Sequence, residues 1–452
     1  MSVRTPENQN PRGAAVSVLV RIRREGRHAD QLIDQELVAG HLSGPDRGLF
    51  AELVFGVLRR QGTLDHVLSA FVSQSLERLE PVVLEVLRVG LYQLMYLDRI
   101  PPSAAVNEAV KLAKMICPRA SGLINAVLRN YLRHPDRPVF PDQLTAPVAS
   151  IAARHSQPAW LVSQWLEQVG ATEAELLAEA SSRQPLLTLR VNTLKTDRDT
   201  LLQLFEENGI AAKAGSFSPD AVLLEGNHQV AALPGFADGL CAVQDEASQM
   251  AALLLAPQPG ERVADTCAAP GGKATHLAQL MENRGEILAM DLAAAKLRRI
   301  EESAARLGIT IIRVRAGNLR EPDRTLDNSC DRVLLDAPCS GLGVIRRNPE
   351  AKWRLTPDDV KRLAETQKCL LDNAARMLKP GGTLLYSTCS TSCEENENIV
   401  AEFLSRHPEY VLEDLKTIFP GYAELFTADG MFRSWPHRHG MDGFFAARIR
   451  KK

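Results

Sequence analysis

Between about residue 12 and residue 134, apolar side chains recur at three- and four-residue spacing, the period of a helix with one buried face. The pattern predicts helices over 14–24, 49–60, 64–73, 81–97, 102–115 and 121–131. Pro101 and Pro102 break one helix, Ser103 can start the next, and Cys117-Pro118 ends it. No period of 20–50 residues repeats, so the first third reads as an all-α bundle and not a solenoid. A Pro-rich stretch from His134 to Pro141 marks a boundary. Over 141–240 the pattern mixes helices (158–169, 173–181) with short strands (187–191, 222–224), a small α+β connector. From Gly260 strands and helices alternate: strands at 262–265, 287–291, 310–314, 332–335, 383–386 and 443–449, helices at 272–281, 293–307, 357–377 and 395–406. Such alternation predicts an α/β Rossmann-like fold with a parallel, doubly wound sheet, its ligand sites at the carboxyl ends of the strands. The expected domains are 1–140, 141–240 and 241–452.

Composition changes the picture little. The chain is 452 residues long, 45% apolar and 24% charged, which excludes collagen-like, disordered and disulfide-scaffold classes. The formal net charge of -2 announces no polyanion partner, but its distribution is uneven. Residues 1–140 carry 18 Lys/Arg against 14 Asp/Glu, so nucleic-acid affinity is expected first in the helical third. Arginines cluster there at predicted helix ends (Arg21, Arg23, Arg24, Arg27; Arg59, Arg60; Arg129, Arg133), where dipole-complementing caps are the competing explanation. Eight cysteines are too few for a disulfide framework, no secretory segment precedes them, and no run approaches the roughly 18 apolar residues of a membrane span. A cytoplasmic protein with reduced thiols is expected. The polar start, residues 1–12, carries no functional signal.

Chemistry concentrates at the predicted strand ends. Cys267-Ala-Ala-Pro-Gly-Gly-Lys273 follows the first strand of the last domain and opens a helix. Gly271 and Gly272 allow close backbone approach, and a helix N-terminus offers unpaired N–H groups. A phosphate-binding P-loop would need glycine at Cys267 and a hydroxyl at Ala274, and the dinucleotide pattern of three spaced glycines is also missing. Asp291 ends the second strand, where a carboxylate can accept from both hydroxyls of a ribose or cap the following helix. An adenosine ligand without pyrophosphate fits, and S-adenosylmethionine is the candidate.

Two further strands run into thiols: Asp331-Arg-Val-Leu-Leu-Asp336-Ala-Pro-Cys339-Ser and Gly381-Gly-Thr-Leu-Leu-Tyr386-Ser-Thr-Cys389-Ser. As neighbours in a doubly wound sheet they would bring both sulfurs beside the cofactor crevice. A lone cysteine is usually a small buried hydrophobe. Two at strand ends, each followed by serine, reverse that expectation. Metal ligation is a poor rival, since Cys389 and Cys393 lack a matching second pair. A thiol, a carboxylate and a methyl donor are what carbon methylation of a pyrimidine needs. Thiolate addition at C6 turns the feebly nucleophilic C5 of cytosine into an enamine carbon able to attack a sulfonium methyl; a base then takes the C5 proton and the thiol is expelled. Asp336 is placed to protonate or hydrogen-bond the ring near N3. The target must be single-stranded or extruded from a duplex.

Together these segments resemble the RNA cytosine-5 methyltransferase family almost end to end. The helical third is similar to the NusB-like RNA-binding domain through residues 53–60, 89–98, 105–111 and 123–129. That domain fused ahead of the methyltransferase is the arrangement of the bacterial 16S rRNA methyltransferases of B type, whose target is cytosine 967 of 16S rRNA. The resemblance implies that Cys267, Ala268, Ala269, Pro270, Gly271, Gly272, Lys273 and Asp291 hold S-adenosylmethionine. It makes Cys389 the nucleophile and Cys339 an auxiliary thiol in breakdown of the covalent intermediate. It sets Asp336 where both donor and base are contacted. After the third strand the family usually has an acidic residue near the adenine; here Asn318 stands there, and its carbonyl can accept from the adenine amino group. Segments 346–353 and 435–445, basic with aromatics, suit phosphate contact and base stacking, although Trp353 and Phe444 equally suit core packing. Asn192 and Gln244 fall in segments edging the cleft. Two rivals stay open. Pro338-Cys339 imitates the nucleophile motif of DNA cytosine methyltransferases, and a NusB-like domain alone would suit a non-catalytic rRNA-binding assembly factor.

Overall fold

The computed structural model describes residues 10–452, and most of the polar start lies outside them. The chain forms two compact units. One holds the described residues up to Arg183 together with Ile345–Arg354; the other holds Gln184–Val344 and Leu355–Lys452.

The first unit is helical: α1 (Pro11–Glu25), α2 (Ala29–Val38), α3 (Pro45–Ser69), α4 (Pro81–Tyr96), α5 (Pro102–Ile116), α6 (Ser121–Arg133), α7 (Pro147–His155) and α8 (Ala159–Ala180). Asn10 starts α1 by accepting from the Arg12 amide, Pro11 occupies the first turn, and Gly26 ends the helix at φ 64°. Phe50, Leu53, Val57 and Leu64 of α3 close on Leu87 and Leu91 of α4 and Ile124 and Leu128 of α6, all fully buried. Two helices expected over 49–60 and 64–73 are one continuous α3. Gly62 lies within it, where a Cβ would come 2.8 Å from the Trp353 ring. Ser156 Oγ accepts from the Gly62 amide at 2.7 Å, and the Trp353 indole N–H donates to the Leu58 carbonyl at 2.9 Å. Trp353 therefore packs against α3, the second of the two readings its sequence left open. Helices α2 and α7 were not foreseen: α2 buries only Ala29, Leu32 and Ile33, and α7 only Ser150 and Ile151, too thin a pattern to stand out.

The second unit holds two sheets. A four-stranded antiparallel sheet of β1 (Leu187–Val191), β2 (Ala212–Ala214), β3 (Ala221–Leu224) and β4 (Cys241–Val243) has the order β2-β3-β1-β4 and is covered by α9 (Arg198–Glu207), whose Leu201 and Phe205 fill its core. After α10 (Glu246–Leu255) comes the larger sheet: β5 (Arg262–Asp265), β6 (Glu286–Asp291), β7 (Ile312–Ala316), β8 (Cys330–Asp336), β9 (Leu378–Thr388), β10 (Tyr410–Leu412), β11 (Phe432–Ser434) and β12 (Phe444–Lys451). Its order is β10-β12-β9-β8-β5-β6-β7, with β11 paired to β12. Helices α11 (Gly272–Leu280), α12 (Ala294–Leu307), α13 (Pro357–Arg376) and α14 (Glu397–Arg406) connect the strands. The five strands from β9 to β7 are parallel, as expected. The rest of the sheet is not: β12 runs antiparallel to β9, and β10 and β11 antiparallel to β12. A strand reached without a crossover helix must reverse, and β11 leads into β12 through a single helical turn.

Candidate active site

The reversal of strand order lies at β5, whose neighbours are β6 on one side and β8 on the other, and the glycine loop leaves its carboxyl end there. Met290 and Leu334, on those two neighbours, pin the loop: the Ala268 amide donates to the Met290 carbonyl at 2.8 Å, and the Thr266 amide to the Leu334 carbonyl at 3.0 Å. Gly271 begins α11 at φ 106°, and a Cβ on it would meet the backbone of Ile300 at 3.2 Å. Only glycine tolerates that torsion together with that approach. Asp291 faces the loop from β6. Its Oδ2 accepts from the Ala269 amide at 3.3 Å and its Oδ1 from the Ala293 amide at 2.9 Å, which leaves lone pairs for a ligand. Asp291 thus also holds the start of α12 through the amide of Ala293, the residue just before it, a role compatible with a ligand on its remaining lone pairs. Leu292 beside it is 73% exposed, an apolar surface that the fold itself does not use. A glycine cradle, a half-buried carboxylate with spare lone pairs and an uncovered leucine fit the phosphate-free adenosine of S-adenosylmethionine. Leu292 carried no signal in the sequence, since a leucine after a strand is unremarkable.

Asn318 is attached to the same edge, because the Gly317 amide donates to the Asp291 carbonyl at 3.1 Å. Its own side chain closes a local turn, accepting from the Arg320 amide at 3.2 Å and donating to Glu321 at 3.0 Å. It borders a cavity of about 460 Å³ whose other walls include Met290, Arg324, Asn373 and Met377, and neither the glycine loop nor Asp291 lines that cavity.

The register of β8 against β9 decides the rest. Asp336 pairs with Ser387, and the two turns beyond them bring Cys339 and Cys389 together, Sγ to Sγ 3.4 Å. Asp336 Oδ2 accepts from Lys273 Nζ at 2.8 Å and Oδ1 from Ser387 Oγ at 3.0 Å. The carboxylate thus ties the cofactor loop to the cysteine strands. Burial opposes the Lys273 charge, but the Asp336 carboxylate outweighs it and raises the ammonium pKa, with Cys389 a further electrostatic neighbour. Contact with Cys389, then burial, then the nearby Glu395 carboxylate push the Cys339 thiol up. Burial, reinforced by Asp265, Asp336 and Asp291, also pushes Cys267 up, so its sulfur stays a packed thiol in the loop.

Asp265 was not singled out in the sequence. It ends β5 fully buried, makes no hydrogen bond of good geometry among the described residues, and its carboxyl is raised to about 7 by burial first and then by Asp336. Its only sequence signal was an acid closing a buried strand. Arg190, from the small sheet, lies behind the cofactor helix: it is 1% exposed, donates to the Gly272 carbonyl at 2.7 Å and to Thr275 Oγ1 at 3.1 Å, and burial lowers its pKa to about 9. Gln244 accepts from Arg190 and donates to Ser248, while Asn192 donates to the Gly239 and Leu307 carbonyls. Both are buried structural residues, which corrects their reading as cleft-edge positions. Phe444 is buried too, with Lys273 Nζ 5.2 Å from its ring centroid.

His276 of α11 gives a pH prediction. Burial first and Arg190 second lower its pKa to about 4, against a favourable Asp220 carboxylate 3.7 Å away. The unfolded chain protonates this imidazole near its reference value of about 6.5, before the folded chain does. The stability it supports is thus complete above that pH and is lost as pH falls toward 4. Thermal unfolding followed between pH 7 and 4 is expected to show a falling midpoint, with a shallower fall in His276→Gln.

A family model described as 16S rRNA methyltransferase RsmB/F matches residues 252–450, the NusB family matches 9–133, and a ferredoxin-like domain of RsmF/B-like methyltransferases matches 157–231. The chain is 39% identical to the probable ribosomal RNA small subunit methyltransferase B of Bacillus subtilis over 445 residues, 98% of either chain. It is also 39% identical to the ribosomal RNA small subunit methyltransferase B of Salmonella paratyphi A over 410 residues, 90% of this chain and 91% of that one. Among solved structures, that of PH0851 superposes with a TM-score of 0.81 at 30% identity, covering 98% of this chain and 99% of the other.

Proposed function

Because the chain belongs to the RsmB/F family of 16S rRNA methyltransferases, we propose that it methylates C5 of a cytosine in 16S rRNA, position 967 in the family, through a covalent bond from Cys389 to C6 of the base. The observation that carries this reading is the 3.4 Å contact of two thiols at the ends of β8 and β9, with β8 beside β5 and its glycine loop and Asp336 of β8 paired with Lys273 of that loop. S-adenosylmethionine, the family's donor, supplies an electrophilic methyl group on a positively charged sulfur. Gly271, Gly272 and Asp291 would hold it, with Leu292 against the adenine and Asn318 at the rim.

Cys389 gives an electron pair to C6, and the displaced π electrons make C5 nucleophilic. Asp336, held by Lys273 and Ser387, hydrogen-bonds the ring as charge develops near N3. Once C5 carries the methyl group, a base takes the C5 proton. The C5–H electron pair rebuilds the ring double bond, and the C6–S pair returns to Cys389. Cys339, kept protonated by its surroundings and in contact with the departing sulfur, assists that release. The cytosine is presented single-stranded or extruded, the helical domain supplies much of the RNA positioning, and the rRNA substrate places the reaction in the cytoplasm.

Cys339→Ala tests the assignment. An SDS-stable protein–RNA adduct should accumulate on a 16S rRNA fragment while turnover falls by about 100-fold or more. Loss of both turnover and adduct in Cys339→Ala, with methylation retained in Cys389→Ala, would overturn it and favour the DNA-type nucleophile. Bisulfite mapping of 16S rRNA from a strain lacking the protein checks the target: one 5-methylcytosine should disappear, and an unchanged map rejects that target.

A further inference from the structure

We infer that Glu395 is a positioning residue for the two sulfurs, a buried clamp that holds the Cys339 and Cys389 turns together through the serine that follows each. The inference rests on the covalent reading above and deepens it. Glu395 sits in the turn before α14 and is fully buried. Its Oε1 accepts from the Ser340 amide at 2.8 Å and from Gln367 Nε2 at 3.0 Å. Its Oε2 accepts from the Ser340 and Ser390 hydroxyls, each at 2.5 Å. Two carboxylate oxygens offer about four acceptor positions, and all are taken. Ser340 and Ser390 also touch each other, Oγ to Oγ 3.1 Å.

A carboxylate ahead of a helix is ordinarily explained by the helix dipole or by capping. That explanation fails, because none of the four donors belongs to α14. Three belong to the residues directly after the two cysteines, and the fourth, Gln367, also donates to the Pro338 carbonyl next to Cys339. The Glu395 backbone carbonyl accepts from the Tyr386 hydroxyl at 2.6 Å, which anchors the clamp to β9 three residues before Cys389. The turns are bridged elsewhere by the Gly343 amide, which donates to the Cys389 carbonyl at 2.9 Å. Among the described residues, no other side-chain carboxylate bonds both serines. An amide at position 395 accepts only through its carbonyl oxygen, so its NH2 end would face either the two hydroxyls or the Ser340 amide and Gln367, donor against donor, and the contact between the sulfurs would slacken.

Glu395→Gln in the full-length protein tests this, with two readouts. In the first, kcat for methyl transfer should fall by about 100-fold while KM for the RNA fragment changes little, and the SDS-stable adduct should build up as in Cys339→Ala. In the second, which involves no substrate, diamide oxidises neighbouring thiols to a disulfide while being reduced to its hydrazine. The Cys339–Cys389 bridge, read by peptide mass spectrometry, should form about tenfold more slowly than in the wild type. The Ser340→Ala/Ser390→Ala double variant, which keeps the buried carboxylate, should shift both readouts the same way even if Glu395→Gln does not fold. Wild-type kcat together with a wild-type rate of bridge formation in a folded variant would overturn the clamp. A slowed bridge with no adduct in any protein, wild type included, would keep the clamp and sink the covalent reading; adduct on the wild type and Cys339→Ala with an unchanged bridge rate in Glu395→Gln would do the reverse.

Discussion

Cys389→Ala should abolish methyl transfer, with a loss of at least about 10⁴-fold, because deleting a covalent nucleophile removes the step that makes C5 reactive. The loss should appear in incorporation of labelled methyl groups into the rRNA fragment. It should be matched by the disappearance of covalent trapping on RNA containing 5-fluorocytidine, where fluorine at C5 prevents the proton loss that frees the enzyme. Donor binding should survive, since the glycine loop and Asp291 belong to β5, α11 and β6 and not to the β9 turn. Cys389→Ser would behave alike, a hydroxyl being a far weaker nucleophile than a thiol at neutral pH. Retained incorporation in either variant would remove Cys389 from the reaction.

Asp336→Asn should be the next most damaging change, lowering kcat by about 10² to 10⁴-fold. The amide keeps the shape but neither carries the charge that holds Lys273 nor serves as an acid–base group toward the ring. Lys273 is largely covered in the fold, so loss of its partner leaves a cation without compensation, and its raised pKa should drop. The variant is thus expected to lose some affinity for the donor as well, which isothermal titration would read separately from turnover. Wild-type kcat with only weakened donor binding would confine Asp336 to the cofactor site.

The sequence singles out these two residues because each closes a strand pattern: a run of buried side chains, then a residue that burial does not explain. The same logic points to the glycine loop and Asp291, which the fold sets at the carboxyl ends of the neighbouring strands β5 and β6. It failed where one residue type serves two purposes. The gap expected between residues 60 and 64 closes once the Trp353 ring is seen against Gly62, and Trp353, open between stacking and packing in the sequence, is seen to pack with its indole N–H on the Leu58 carbonyl. Asn192 and Gln244 look like cleft residues because polar side chains are usually exposed, yet both are sealed in by backbone carbonyls and by Arg190.

Periodicity, punctuation and the order of strands and helices were enough to specify a helical domain, a small mixed sheet and a methyltransferase sheet with its glycine loop at the first strand. These are properties of short windows, where each residue's neighbours lie within one or two turns of chain. Tertiary structure alone decided that β12 runs antiparallel and that α3 is unbroken. It alone brought two sulfurs 50 residues apart in the chain to 3.4 Å, with one carboxylate bonded to the serine after each. Those facts depend on strand register and on which distant side chain a buried donor finds, and a buried polar group takes whichever partner the fold presents.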